Sequence, residues 1–193
     1  MEALKDDKNN MIGLYGMGGC GKTTMAKEVG KEVEQFFNKV VFVAVSNTIQ
    51  VRNIQGKIAS QVELKLQEEE EPERARRFFM RLNGGERFLI ILDDVWKLLD
   101  FEAIGIPVGE NKNGCTVLIR TRHRHVCTLM NCQSIIALDL LDMEEALTLF
   151  QKHAKLFDDN SETLKLKGLA EKITKECGGL LVAIVVVAST LKG

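Results

Sequence analysis

Gly16-Met17-Gly18-Gly19-Cys20-Gly21-Lys22-Thr23-Thr24 decides how this chain is read. The stretch fits G-x-x-x-x-G-K-[ST]. It stands where that pattern has physical meaning, between a short apolar run, Met11-Ile12-Gly13-Leu14-Tyr15, and a segment with helical spacing of apolar residues. The glycines let the backbone curl so that consecutive N–H groups point inward at phosphate oxygens, helped by the positive end of a helix that starts near Lys22. Gly16, Gly18, Gly19, Cys20 and Gly21 are therefore the candidate phosphate cradle. Lys22 is placed to bridge the β- and γ-phosphates, Thr23 to ligate Mg²⁺ through its hydroxyl, and Thr24 to donate to the α-phosphate.

A phosphate loop calls for a second, distant element, an apolar strand that ends in an acid. Phe88-Leu89-Ile90-Ile91-Leu92-Asp93-Asp94 supplies it. Asp93, at the strand tip, is expected to hold Mg²⁺ through water, and Asp94 to orient or deprotonate the water that attacks the γ-phosphate. Thr116-Val117-Leu118-Ile119-Arg120-Thr121-Arg122 puts cations at the end of another strand. Open parallel sheets bind ligands at that edge, so Arg122 or Arg120 is the expected reader of the γ-phosphate. Two other readings compete for this region. A nucleic-acid patch over residues 120–125 lacks interleaved aromatics, and a metal site from His123, His125, Cys127 and Cys132 matches no common zinc spacing.

Further out, apolar runs at 11–15, 40–45, 88–92, 116–119 and 135–138 read as strands, with amphipathic helices at 22–37, 51–66 and 72–82 between them. The acidic run 68–71 reads as a solvated loop rather than a docking site. This alternation predicts an α/β fold, a five-stranded mainly parallel sheet flanked by helices. After Asp139 the pattern turns helical. Asp142-Met143-Glu144-Glu145 resembles a capping box opening a helix to about residue 155, and a second helix ends at Gly178-Gly179. Residues 180–191 are Val/Ile-rich, but their length and alanines favour helix. The expected division is a nucleotide-binding domain over 1–139 and a first, partial helical subdomain over 140–193.

Composition narrows the partners. The chain of 193 residues is 45% hydrophobic, enough for a real core, and its 26 basic and 27 acidic side chains leave a net charge of -1. That balance offers no field for a dedicated nucleic-acid or membrane-surface binder. The five cysteines are odd in number, scattered and without a Cys-x-x-Cys pair, which predicts reduced thiols in a cytoplasmic protein. The N-terminus lacks an apolar stretch of signal-peptide type. The longest apolar run, 180–188, falls well short of the roughly 20 residues a bilayer span needs, so no transmembrane segment is expected.

Taken together, these motifs resemble the NB-ARC nucleotide-binding module of plant disease-resistance proteins with leucine-rich repeats, related to the animal apoptosome ATPases. The resemblance covers nearly the whole chain. Besides the glycine loop, its markers are Val43-Ala44-Val45-Ser46, Leu89 through Trp96, Arg120-Thr121-Arg122, Glu145-Ala146-Leu147-Thr148-Leu149-Phe150 and Cys177-Gly178-Gly179-Leu180. Trp96 after the aspartates resembles the coiled-coil branch rather than the Toll-receptor-like one. The resemblance implies a P-loop NTPase that holds ADP at rest and ATP when active, with Mg²⁺, hydrolyses slowly at most, and self-oligomerises to trigger immune signalling. Coiled-coil and leucine-rich-repeat domains are implied in the full-length protein. Arg122 becomes the sensor arginine at the γ-phosphate and, with Lys22 and Asp94, completes the expected catalytic set.

This sequence departs from the family pattern at three places. Arg120 stands where the family usually has Thr, putting an extra cation beside the γ-phosphate. Gly179-Leu180-Leu181-Val182 replaces Gly-Leu-Pro-Leu, so Leu181 occupies the position of the proline expected to pack on adenine. The family's upstream Val-Gly-Arg segment, its winged-helix region and its repeats have no counterpart here, and the chain reads as a fragment. Two alternatives to a switch stay open: a turnover ATPase or phosphotransferase, and an interaction module whose nucleotide site has decayed. The helical tail favours the switch because it can act as a lid that senses nucleotide state. No substrate-binding insertion marks the second reading, and Arg120 and Leu181 favour the third.

Overall fold

The apolar runs are strands in the computed structural model, which describes residues 2–6, 9–45, 47–108, 114–155 and 161–191; Ser46, the last residue of the 43–46 motif, lies outside them. They are β1 (Met11–Tyr15), β2 (Lys39–Ala44), β3 (Phe88–Asp93), β4 (Cys115–Thr121) and β5 (Ser134–Ala137). The sheet has the order β2-β3-β4-β1-β5, and every pairing is parallel. Every residue of β3 is buried, which is why this strand reads as a continuous apolar run instead of alternating. Registers place Leu14 opposite Arg120, Leu92 opposite Ile119 and Ala44 opposite Asp93. The tips of β1, β3 and β4 therefore share one end of the sheet.

Two compact units divide the chain. The first comprises Met1–Gly16 and Lys22–Ala137; the second, Met17–Gly21 and Leu138–Gly193. In the first unit the sheet carries α1 (Glu2–Lys5), α2 (Lys22–Glu32), α3 (Val51–Gln61), α4 (Glu71–Leu82), α5 (Phe101–Ile104) and α6 (Arg124–Leu129). Alternation sorts the strand residues onto two faces. Val41, Ile90, Leu92 and Ile119 join Ile58 of α3 and Phe78 of α4 in one core. On the other face a Cβ added to Gly30 of α2 would lie 3.2 Å from Ile91 Cδ1. By the same alternation Asp93 follows Ile91, so it belongs to the α2 face.

Several helices differ from the periodicity. α2 stops at Glu32 and passes into a 3-10 turn, Glu34–Phe36, before Phe37 extends toward β2. α3 stops at Gln61 rather than near 66 because Glu63 adopts φ 57, and Leu64 N–H closes back on Ala59 O at 3.0 Å, the left-handed stop of a Schellman-type end. The sequence reading missed α1, α5 and α6. None exceeds 6 residues, too short to display a helical repeat.

The second unit packs α7 (Met143–Ala154), α8 (Ser161–Glu176) and α9 (Leu181–Thr190). The capping box of α7 is complete: Glu145 N–H donates to Asp142 Oδ1 at 2.8 Å, and Asp142 N–H donates to Glu145 Oε2 at 3.1 Å. Ala146, Phe150, Ala170, Ile184 and Ala188 form the core of this unit. Ile184 and Ala188, four apart, bury one stripe of α9, so packing overrides the strand propensity of its valines.

Candidate functional site

β1 delivers the chain into residues 16–21, and α2 starts at Lys22. Gly19 and Gly21 take left-handed conformations, φ 83 and 99, which glycine adopts without steric cost. Within the second unit this turn is seated on the start of α9. Val182 N–H donates to Gly19 O at 3.1 Å, and a Cβ on Gly19 would come 2.5 Å from Val182 Cγ1. A Cβ on Gly21 would stand 3.1 Å from Leu181 Cδ1, so the residue in place of the family proline lies against the loop. Gly18 lies in the turn, Met17 is exposed, and buried Cys20 donates its N–H to Met17 O at 3.5 Å.

Lys22 is 3% exposed, and its ammonium donates to Gly16 O at 2.5 Å. A buried ammonium needs such acceptors, and a phosphate oxygen is a stronger one than a carbonyl. The loop and its lysine thus fit a phosphate. In the first turn of α2, Thr23 is half-buried and Thr24 exposed.

At the end of β3, Asp93 is buried, and its Oδ1 is ion-paired with Nε of Arg120 from β4. Side-chain exposures of 8% and 14% make this a largely desolvated pair. Arg120 therefore reaches the acid at the strand tip, a partnership the sequence did not reveal. The clue available was parity: on adjacent parallel strands, residues one step past the Leu92–Ile119 register share a face. A Mg²⁺ ion brought to Thr23 and Asp93 would meet a guanidinium on the carboxylate, so the residues present do not fit that ion as the sequence reading expected.

Asp94 holds φ 58, a left-handed conformation that aspartate tolerates better than most residues and that clusters at functional sites. Arg122 is exposed, with its guanidinium carbon 4.9 Å from the Trp96 ring centroid. His123 meets the same ring edge-on at 5.8 Å and stands 5.4 Å from His125. Trp96, read from the sequence only as a branch marker, is thus the platform for the expected sensor arginine.

The thiols have different surroundings. Burial pushes Cys115 up to about 12. A hydrogen bond from Cys132 lowers the Cys127 thiol and raises its own. Among the described residues no three metal-ligating side chains converge.

This strand–loop–helix, set in a parallel sheet with an acid at the tip of β3, two strands from β1, defines a P-loop NTPase fold. Solved structures share it: Cdc6p of Pyrobaculum aerophilum matches with TM-score 0.65 at 14% identity, over 93% of this chain and 55% of that one. A signal transduction ATPase with numerous domains from Pyrococcus horikoshii, which has a tetratricopeptide repeat sensor, matches with TM-score 0.59 at 20% identity, over 93% of this chain and 28% of that one.

The NB-ARC domain model matches residues 1–160, and the chain belongs to that family. Disease resistance protein At4g27190 of Arabidopsis thaliana is 35% identical over 100% of this chain and 20% of its own length. RPS5 of the same plant is 32% identical over 97% of this chain and 22% of its own length. The chain thus spans about a fifth of the length of these curated relatives. Fold and family together imply nucleotide binding. No helix among the described residues is long and apolar enough to cross a membrane.

Proposed function

We propose that this chain is the ADP/ATP-binding switch module of a plant disease resistance protein, ADP-bound at rest, ATP-bound when active, and slow to hydrolyse. The observation that carries the reading is the buried Lys22 ammonium folded onto Gly16 where β1 meets α2, in a chain of the NB-ARC family. In this reading the backbone N–H groups of Gly16, Gly18, Gly19, Cys20 and Gly21, with Thr24, hold the phosphates. Lys22 exchanges its carbonyl for a phosphate oxygen, and Leu181 offers an aliphatic surface to the adenine. Asp94 positions the attacking water, and Arg122 contacts the γ-phosphate. A ligand shifts an equilibrium only by its differential affinity, so a γ-phosphate contact made in one state is what a switch requires. The whole protein is then a cytoplasmic immune-signalling receptor with coiled-coil and leucine-rich-repeat domains that self-associates when ATP-bound. The ion pair on Asp93 favours a second reading, an interaction module whose nucleotide site has decayed.

The test is to denature the purified chain, identify the nucleotide released, and time hydrolysis of added ATP. Expected are co-purifying ADP, its loss in Lys22→Ala, and turnover far below about 1 per second, the lower end of ordinary enzymes. Asp94→Ala is expected to keep binding and lose hydrolysis. Turnover at ordinary enzyme rates would favour an ATPase or phosphotransferase; no nucleotide and no effect of Lys22 would favour the interaction module.

A further inference from the structure

We propose that Arg120 is a built-in cation that replaces the divalent metal at the Asp93 seat, so that this chain binds a nucleoside di- or triphosphate without Mg²⁺. The inference rests on the nucleotide reading above. It is carried by placement, pairing and burial.

β4 lies between β1, which feeds the phosphate loop, and β3, which ends in Asp93. Arg120 is in register with Leu14, just before the loop. It shares the α2 face with Asp93, and α2 is the helix that Lys22 and Thr23 begin. The Asp93 carboxylate at the tip of β3 is therefore already neutralised from within the chain, by Arg120 of β4.

Burial makes that pairing durable. With exposures of 8% and 14%, neither partner has bulk water to replace the other. Taking the guanidinium away would leave Asp93 buried and uncompensated, and inserting a divalent ion beside it would set two cations against one carboxylate. A guanidinium also suits the task that the metal performs elsewhere. It is permanently charged, so it supplies positive charge at the Asp93 seat at every working pH. Lys22 supplies a second positive charge at the base of the loop. Together the two side chains counter phosphate charge without an ion that must be recruited from solution.

The consequence is a separable property, metal-independent nucleotide affinity. ADP and ATP are titrated calorimetrically into the chain, freed of bound nucleotide, in EDTA and in excess Mg²⁺, with wild type, Arg120→Lys and Arg120→Thr. For wild type and Arg120→Lys the dissociation constants in the two buffers are expected to agree within about threefold. For Arg120→Thr, affinity in EDTA is expected to fall by about tenfold or more relative to Mg²⁺, because Asp93 is opened to the ion. Wild-type affinity that drops about tenfold in EDTA would overturn the proposal while leaving the nucleotide module intact. Metal independence retained in Arg120→Thr would remove Arg120 from the role. Absence of binding in both buffers would overturn this proposal and the nucleotide reading together. If Arg120→Thr does not fold, the wild-type comparison between EDTA and Mg²⁺ still decides whether affinity is metal-independent.

Discussion

Arg122 rests on the face of Trp96, 4.9 Å from its centroid, and this exposed stack is worth about 0.5–1 kcal/mol. A hydrogen bond to a charged group contributes about 1.5–3 kcal/mol, so a γ-phosphate within reach outcompetes the ring. Trp96 is the single tryptophan of the chain, so an exchange of this kind is expected to register in its emission. ATP is expected to change its emission where ADP does not, and Arg122→Ala to abolish the difference, as read by steady-state fluorescence. An equal response to both nucleotides would dissociate Arg122 from γ-phosphate sensing. At this scale the glycine loop followed by Lys22 and the apolar run ending in Asp93 were legible in the sequence, because both are local patterns. It did not show their partners. Asp93 with Arg120, and Arg122 with Trp96, meet because separate segments of chain are brought together.

α5 shows how an element escapes a sequence reading and is still firmly built. Its 4 residues carry no usable periodicity, yet the Asp100 carboxylate accepts from Ala103 N–H at 2.9 Å and caps the start. Its end is held by buried Gln55 of α3, which donates to Ala103 O at 3.2 Å and Ile104 O at 3.3 Å while accepting from Arg74 Nε at 3.0 Å. Gly105 then turns left-handed at φ 88, and a Cβ there would come 2.2 Å from Ala75 O in α4. Gly85 has a similar φ of 89 but nothing within 4 Å of an added Cβ. Gly85→Ala is therefore expected to cost about 1–2 kcal/mol, the left-handed penalty alone. Gly105→Ala costs that plus displacement of the α4 backbone, about 3 kcal/mol or more. Urea midpoints of the two variants check the order, and equal losses would show that α5 and α4 separate easily.

At the scale of the molecule, nucleotide binding and stability are linked. A ligand that binds only the folded state adds about 2.7 kcal/mol at a hundredfold excess over its dissociation constant. For a chain of 193 residues each kcal/mol raises Tm by about 2–4 °C. ADP at that excess is expected to raise Tm by about 5–10 °C in wild type and not in Lys22→Ala, as followed by calorimetry. The rise is expected to survive EDTA if Arg120 does the work assigned to it. A rise of equal size in Lys22→Ala would place the ligand away from the loop.

The sequence alone determined the succession of parallel strands and helices, the phosphate loop, the Asp142–Glu145 capping box and the helical character of the last quarter of the chain. Each depends on backbone geometry within a few residues, which periodicity, glycine spacing and capping chemistry express directly. Only the tertiary structure decided that β1 lies between β4 and β5, that Lys22 folds onto Gly16, and that Arg120 reaches Asp93. Side-chain partnership of this kind depends on the register and face of strands far apart in the chain, and on the burial that makes an ion pair hard to break. No local pattern encodes these.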